Sequence, residues 1–212
     1  GLLSAKTGDV GLAIHNLEES LRIRRALLLH GHRDHPDVAV TLLWLGQLKQ
    51  KARDLEEAKQ HLVESLRMNC ALNEGKDHPD VAVALHALGQ LSLETGDFKD
   101  AKQYLEESLR MNQALHGDKD HPSVAVVLHA LGELCLETRH FKEAKQHLEE
   151  CLRMSCRLQE GTDHPSVAAV LHLLGELNLH TGDLDDAQHY LEESLRMNCA
   201  VHGGKNHPSV AI

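Results

Sequence analysis

Histidine provides many of the side chains with which this chain could bind a metal or act in catalysis, because eighteen imidazoles occur among its 212 residues. His129 lies four residues before Glu133, and His172 lies four residues before Glu176, so each pair would share one face of a helix. Imidazole and carboxylate groups are competent ligands for zinc or nickel. Packed helices, however, lie about 10 Å apart, which is too far for two such pairs to close around one tetrahedral ion. We therefore expect no metal site.

The motifs of common enzyme classes are missing from the sequence. It contains no glycine-rich phosphate loop, no H-E-x-x-H helix, no G-x-S-x-G turn and no C-x-x-C pair. The five cysteines are an odd number, which predicts free thiols in a reducing cytosol rather than a disulfide framework. We expect a cytoplasmic protein with no catalytic residues, no cofactor and no enzymatic activity.

Composition narrows the class of partner. Asp and Glu number 32 against 22 Lys and Arg, which gives a formal net charge of −10, and aromatic residues make up only 2% of the chain. Proteins bind nucleic acids with positive charge and with aromatic side chains that stack on bases, and this chain lacks both. It also lacks the net positive charge that would attract it to anionic lipids. No apolar run is long enough to cross a bilayer. We expect protein or peptide partners, with no nucleic acid and no membrane.

A fixed period of 43 residues organises the sequence. A His-Pro pair recurs at this spacing, and so does a glycine. The histidines of the pair are His35, His78, His121, His164 and His207, and the glycines are Gly46, Gly89, Gly132 and Gly175. This period indicates a stacked array, because one unit is too small to bury its own apolar face. We predict a single array over 1–212, with a partial leading repeat (1–33), full repeats (34–76, 77–119, 120–162 and 163–205) and the start of a truncated repeat (206–212).

Each repeat is predicted to contain two helices. Apolar residues recur at steps of three and four from Pro122 to about Glu137, and a second amphipathic stretch runs from about Phe98 to Leu115. Proline suits the first helical position, and the residue before it is extended, as a cap residue must be. The sequence leaves open whether the Asp or the His side chain forms that cap. No strand pattern occurs, so the predicted fold class is all-α, with helix–turn–helix units wound into a solenoid.

A set of small and large residues recurs within each repeat. In the third full repeat these residues are Leu131, Gly132, Cys135, Phe141, Ala144, Leu148, Cys151 and Leu152. They stand where tetratricopeptide (TPR) repeats place their packing residues, and the long unit opened by His-Pro resembles the repeats of kinesin light chain and nephrocystin-3. The resemblance implies a right-handed superhelix in which the glycine marks a close approach of two helices. It places Ala101, Ala144 and Ala187 as the small partners across from that glycine.

Two features depart from the kinesin light chain pattern. Each connection between repeats has one residue more. The paired asparagines of that family's first helix are replaced by His86-Ala87, His129-Ala130 and His172-Leu173.

The resemblance also implies where a partner would bind. First helices line the concave face of tetratricopeptide arrays. The residues that map onto this face are His86, His129, His172, Gln47, Gln90, Glu133, Glu176, Glu94, Glu137, Leu93, Leu136 and Leu179. Imidazole, amide, carboxylate and apolar groups in one groove suit an extended or helical peptide that carries Lys or Arg. We expect a non-enzymatic protein–protein interaction scaffold that binds a basic protein segment.

Two alternatives stay open at this point. The same residues would solvate the groove of an array that has no single ligand. The chain would alternatively associate head to tail, because both ends fall inside predicted helices and would expose Leu2, Leu3, Val210 and Ile212.

Overall fold

Nine α-helices and no strand are found in the residues that the structure, a computed structural model, describes, namely 10–27, 34–117, 119–161 and 163–202. The helices are α1 (Val10–Leu27), α2 (Pro36–Lys51), α3 (Leu55–Leu72), α4 (Pro79–Glu94), α5 (Phe98–His116), α6 (Pro122–Glu137), α7 (Phe141–Leu158), α8 (Pro165–Thr181) and α9 (Leu184–His202). The all-α prediction is confirmed. We call α2, α4, α6 and α8, which begin at a proline, the first helices, and α3, α5, α7 and α9 the second helices.

The helices belong to two units, Gly1–Leu115 and His116–Ile212. In the former unit α1 packs on α2, α2 on α3 and α3 on α4, and the first helices α2 and α4 also touch. In the latter unit α6 packs on α7, α7 on α8 and α8 on α9, and the first helices α6 and α8 touch. The interior of each unit is therefore shared between neighbouring hairpins, as the cluster of Ala58 and Leu62 of α3 with Leu88 and Leu91 of α4 illustrates.

The repeat boundaries and the single array over 1–212 stay predictions. The predicted truncated repeat at 206–212 lies outside the described residues. The four end residues of the self-association hypothesis, Leu2, Leu3, Val210 and Ile212, also lie outside them.

Histidine, not aspartate, caps every first helix. The backbone before each proline is extended, and the histidine Nδ1 accepts a hydrogen bond from the backbone N–H two residues later. These bonds join His35 to Asp37 (3.1 Å), His78 to Asp80 (3.2 Å), His121 to Ser123 (3.2 Å) and His164 to Ser166 (3.1 Å). The imidazole thus satisfies one of the N–H groups that a helix leaves unpaired in its first turn.

The aspartate before each histidine instead ties the loop to the following second helix. Arg67 pairs with Asp34, Arg110 with Asp77 and Arg196 with Asp163, each at 2.7 Å and each over 33 residues of sequence. In the third full repeat the partner of Asp120 is Arg157, at 2.9 Å. These arginines are exposed to solvent, so the pairs add little to stability and serve mainly to fix the loop.

A buried hydrogen bond also joins the two helices of each repeat. The hydroxyls of Ser65, Ser108 and Ser194 donate to the carbonyls of Ala39, Ala82 and Ala168 at 2.7–2.8 Å. In the third full repeat the donor is the Cys151 thiol, which lies 3.1 Å from the Ala125 carbonyl oxygen. Burial raises the pKa of Cys151 to about 11, so the thiol stays protonated and keeps its role as a donor at neutral pH. All five cysteines are free thiols.

The repeated glycine of each first helix is the point of closest approach, as the resemblance implies. A Cβ atom on Gly132 would fall within 3 Å of two carbons of Leu148. A Cβ atom on Gly46, Gly89 or Gly175 would fall equally close to Leu62, Leu105 or Leu191, respectively. The side chain over each glycine is a leucine, and the alanine four positions before that leucine lies across from the glycine as well, since a Cβ on Gly175 would be 3.4 Å from the Ala187 carbonyl oxygen. Ala101, Ala144 and Ala187 are fully buried beside this contact.

Candidate functional site

Each first helix leaves one face partly open to solvent. Residues at steps of three and four along the helix share this face, which we call the first-helix stripe. Its members in the former unit are Val40, Leu43, Trp44, Gln47 and Gln50 on α2, and Val83, His86, Gln90, Leu93 and Glu94 on α4. Its members in the latter unit are Val126, His129, Glu133 and Glu137 on α6, and Ala169, His172, Glu176, Leu179 and His180 on α8. All of them are exposed or half-buried.

Eleven of the twelve residues mapped from the resemblance lie on this stripe. The exception is Leu136, which is buried with 7% of its surface exposed and so serves the interior rather than the open face. Its equivalents differ, because Leu93 is half-buried and Leu179 is 52% exposed. The same repeat position therefore carries an accessible apolar group in some helices only.

The sequence analysis missed the valines of the stripe. Val40, Val83 and Val126 are between 40% and 49% exposed, and each stands three residues before the position of the stripe histidine in its repeat. Trp44, one turn after Val40, is 39% exposed. The signal was present, since these valines recur with the 43-residue period at a position distinct from the buried apolar residues.

Charge on the stripe of the former unit is largely neutralised. Glu94 pairs with Arg53 and accepts a hydrogen bond from the Gln50 amide at 2.8 Å. Because the remaining stripe side chains on α2 and α4 are amides, an imidazole and apolar groups, this part of the surface is close to neutral.

Carboxylates converge on the stripe of the latter unit. Burial raises the pKa of Glu133, and the nearby carboxylates of Glu137 and Glu176 raise it further. Within the described part of the chain, no lysine or arginine forms an ion pair with any of these three residues. Glu176 does lie 3.9 Å from Nε2 of His180, whose ring stacks on Phe141 with centroids 5.6 Å apart. The result is a cluster of negative charge that lacks a strong cation.

The histidines of the stripe differ in environment. His172 is exposed, whereas the Nε2 atom of His129 is buried and has no hydrogen-bond partner among the described residues. Burial lowers the pKa of His129, so its imidazole is neutral at pH 7. It therefore adds no positive charge beside Glu133.

The described residues offer neither a metal site nor a membrane span. No group of three or more His, Cys, Asp or Glu side chains in the described ranges is placed to hold a metal ion. Among the helices whose residues the structure describes, none combines the length and the apolar character that a membrane span requires.

Family models decide what kind of repeat this is. A model described as "Tetratricopeptide repeat" matches residues 37–114 and 155–200, and a second model with the same description matches residues 124–166. The chain belongs to the tetratricopeptide repeat family. The matches cover more than half of the sequence, and they confirm the resemblance carried by the glycines and the His-Pro pairs. No curated protein matches the chain.

Solved structures share the TPR fold. BtubC (BKLC) from P. vanneervenii is similar with a TM-score of 0.78 and 24% identity, over 97% of this chain and 80% of that one. A Podosopora anserina protein assigned as a kinesin light chain with nearly identical TPR-like repeats has a TM-score of 0.74 and 22% identity, over 95% and 92% of the two chains. PilF of Pseudomonas aeruginosa has a TM-score of 0.54 and 20% identity, over 100% and 91%.

The family models and these structures together establish an all-α, TPR-like solenoid. TPR proteins are in general non-enzymatic. The TPR repeats of this chain make it a protein-interaction scaffold in general.

Proposed function

We propose that the first-helix stripes bind an extended or helical protein segment that carries lysine or arginine. The observation that supports this most is the cluster of Glu133, Glu137 and Glu176, which has no lysine or arginine partner among the described residues. Burial is the main cause of the raised pKa of Glu133, and repulsion from Glu137 and Glu176 adds to it, so an incoming cation would relieve that repulsion. The relief would add to the direct attraction between the opposite charges.

The other stripe residues suit the rest of such a segment. Gln and His side chains can donate to and accept from peptide groups, and exposed valines offer apolar contact at regular intervals. In the former unit, where Arg53 and Gln50 already pair with Glu94, we infer that the stripe binds such a segment mainly through Val40, Trp44 and Val83. By the family resemblance these stripes would line the concave face of the array. The free thiols support a cytoplasmic location.

Selection from a display library of short random peptides tests this function. We expect binders enriched in lysine and arginine together with apolar residues, and we expect added salt to weaken their binding because part of the attraction is between partly exposed charges. Enrichment of acidic peptides, or basic binders whose affinity does not respond to salt, would contradict the proposal.

A further inference from the structure

The caps of the first helices depend on a neutral imidazole. Nδ1 of His35, His78, His121 and His164 acts as an acceptor, which is a role that a protonated imidazole cannot fill because both of its ring nitrogens carry hydrogen. Protonation would also place a positive charge at the end of the helix where the backbone dipole is itself positive. Each cap thus loses its hydrogen bond and gains a repulsion when the ring takes up a proton.

The residue that follows the proline separates the caps into two kinds. On α2 and α4 this residue is Asp37 or Asp80, and an Asp80 carboxylate oxygen lies 3.6 Å from Nδ1 of His78. A carboxylate there offsets the charge of a protonated ring. On α6 and α8 the same position holds a serine, whose hydroxyl lies 2.7 Å (Ser123) or 2.8 Å (Ser166) from Nδ1. A hydroxyl can accept a hydrogen bond from the protonated ring but cannot neutralise it.

The other charged groups around the serine-type caps are already engaged. Asp120, next to His121, pairs with Arg157 of α7 at 2.9 Å. Asp163, next to His164, pairs with Arg196 of α9 at 2.7 Å. Neither carboxylate is free to compensate a new positive charge on its neighbouring histidine.

His121 has one more unfavourable neighbour. Its ring stacks on His116 with centroids 3.4 Å apart and planes 8° from parallel. Burial, and secondarily His116, lower the pKa of His121. The unfolded chain therefore takes up a proton at this histidine more readily than the folded one. The stability that the neutral cap provides is fully present at neutral pH and is lost as pH falls below about 6.5.

We propose that the His121 and His164 caps form a proton-sensitive device that loosens the first turns of α6 and α8 on acidification. The device is independent of the proposed binding function.

Urea unfolding of the full chain at about pH 7.5 and about pH 5.5 tests the device. The variants are H121N/H164N and, as the matched control, H35N/H78N. Asparagine is a good cap at either pH, so both variants should fold. In the wild type the unfolding equilibrium constant should rise at the lower pH, with a share of about fivefold from loss of the serine-type caps. The H121N/H164N variant should lose this part of the rise in the unfolding equilibrium constant, whereas the H35N/H78N variant should keep most of it. Acid effects of other histidines, such as the buried His129, occur in all three proteins and cancel.

Hydrogen exchange of the wild type gives a second measurement that needs no variant. After correction for the intrinsic effect of pH, the amides of Ser123 and Ser166 should lose protection at the lower pH more than those of Asp37 and Asp80. The proposal is overturned if H121N/H164N keeps the full acid sensitivity of the wild type, or if all four amides respond equally.

Discussion

Gly132→Ala is expected to destabilise the chain by about 1–3 kcal/mol, because the new methyl group would overlap Leu148 at the closest approach of α6 and α7. Helix propensity acts in the opposite direction, since alanine is favoured over glycine by about 1 kcal/mol inside a helix. The sign of the change therefore reports whether packing or propensity dominates at this position. Urea denaturation followed by circular dichroism measures it.

A double-mutant cycle with Leu148→Ala identifies the contact. Leu148 is fully buried, so its truncation alone should cost about 2–5 kcal/mol. In the presence of Gly132→Ala the same truncation should cost at least about 1 kcal/mol less, because the alanine methyl group then fills part of the space that the leucine leaves. If Gly132→Ala stabilises the chain, or if the two changes are additive, the helices do not pack as described.

Reversal of two stripe charges, E133K/E176K, is expected to weaken binding of a selected basic peptide by at least tenfold, which corresponds to about 1.4 kcal/mol. Both changes replace attraction by repulsion within the cluster around Glu133. The salt dependence of the remaining binding should shrink or reverse. Fluorescence anisotropy at two ionic strengths measures both effects.

E149K/E192K is the matched control for this charge reversal. Glu149 and Glu192 lie 43 residues apart, as Glu133 and Glu176 do, but they are exposed on the second helices α7 and α9. The control changes the net charge of the chain by the same amount. We expect it to leave affinity within about twofold, because exposed charges farther than a Debye length of about 10 Å from the peptide are largely screened. Equal losses in the two variants would mean that net charge, not the stripe, attracts the peptide.

The helices could be predicted from the sequence because the information that specifies them is local. Proline at the first position and apolar residues at helical steps gave Pro122–Glu137 for α6, which are its observed bounds, and gave α5 to within one residue. The period then extended these assignments to the other repeats. A glycine whose missing side chain allows two helices to meet was also predictable, because it recurs where the family places it.

Other features depend on contacts between residues far apart in sequence. The aspartate before each of the four capping histidines binds an arginine that in three repeats lies 33 residues later, which leaves the imidazole to cap the helix. Glu94 pairs with Arg53, which lies 41 residues away in sequence. The repeat pattern shows an acidic residue at this position but does not show that an arginine neutralises its charge in the fold. Leu136 is buried and Leu179 exposed although they share one repeat position, because exposure depends on the neighbours that each helix meets.

Methyl NMR of the full chain, titrated with a selected basic peptide, tests the central claim most directly. The exposed valines provide probes on both kinds of helix, since Val40, Val83 and Val126 lie on first helices, whereas Val63 and Val201 lie on second helices. A peptide that binds the first-helix stripes should shift the methyl signals of Val126 and Leu179 most, shift those of Val40 and Val83 as well, and leave those of Val63 and Val201 unchanged. Shifts concentrated at Val63 and Val201, with the first-helix signals unmoved, would mean that the peptide binds the second helices instead.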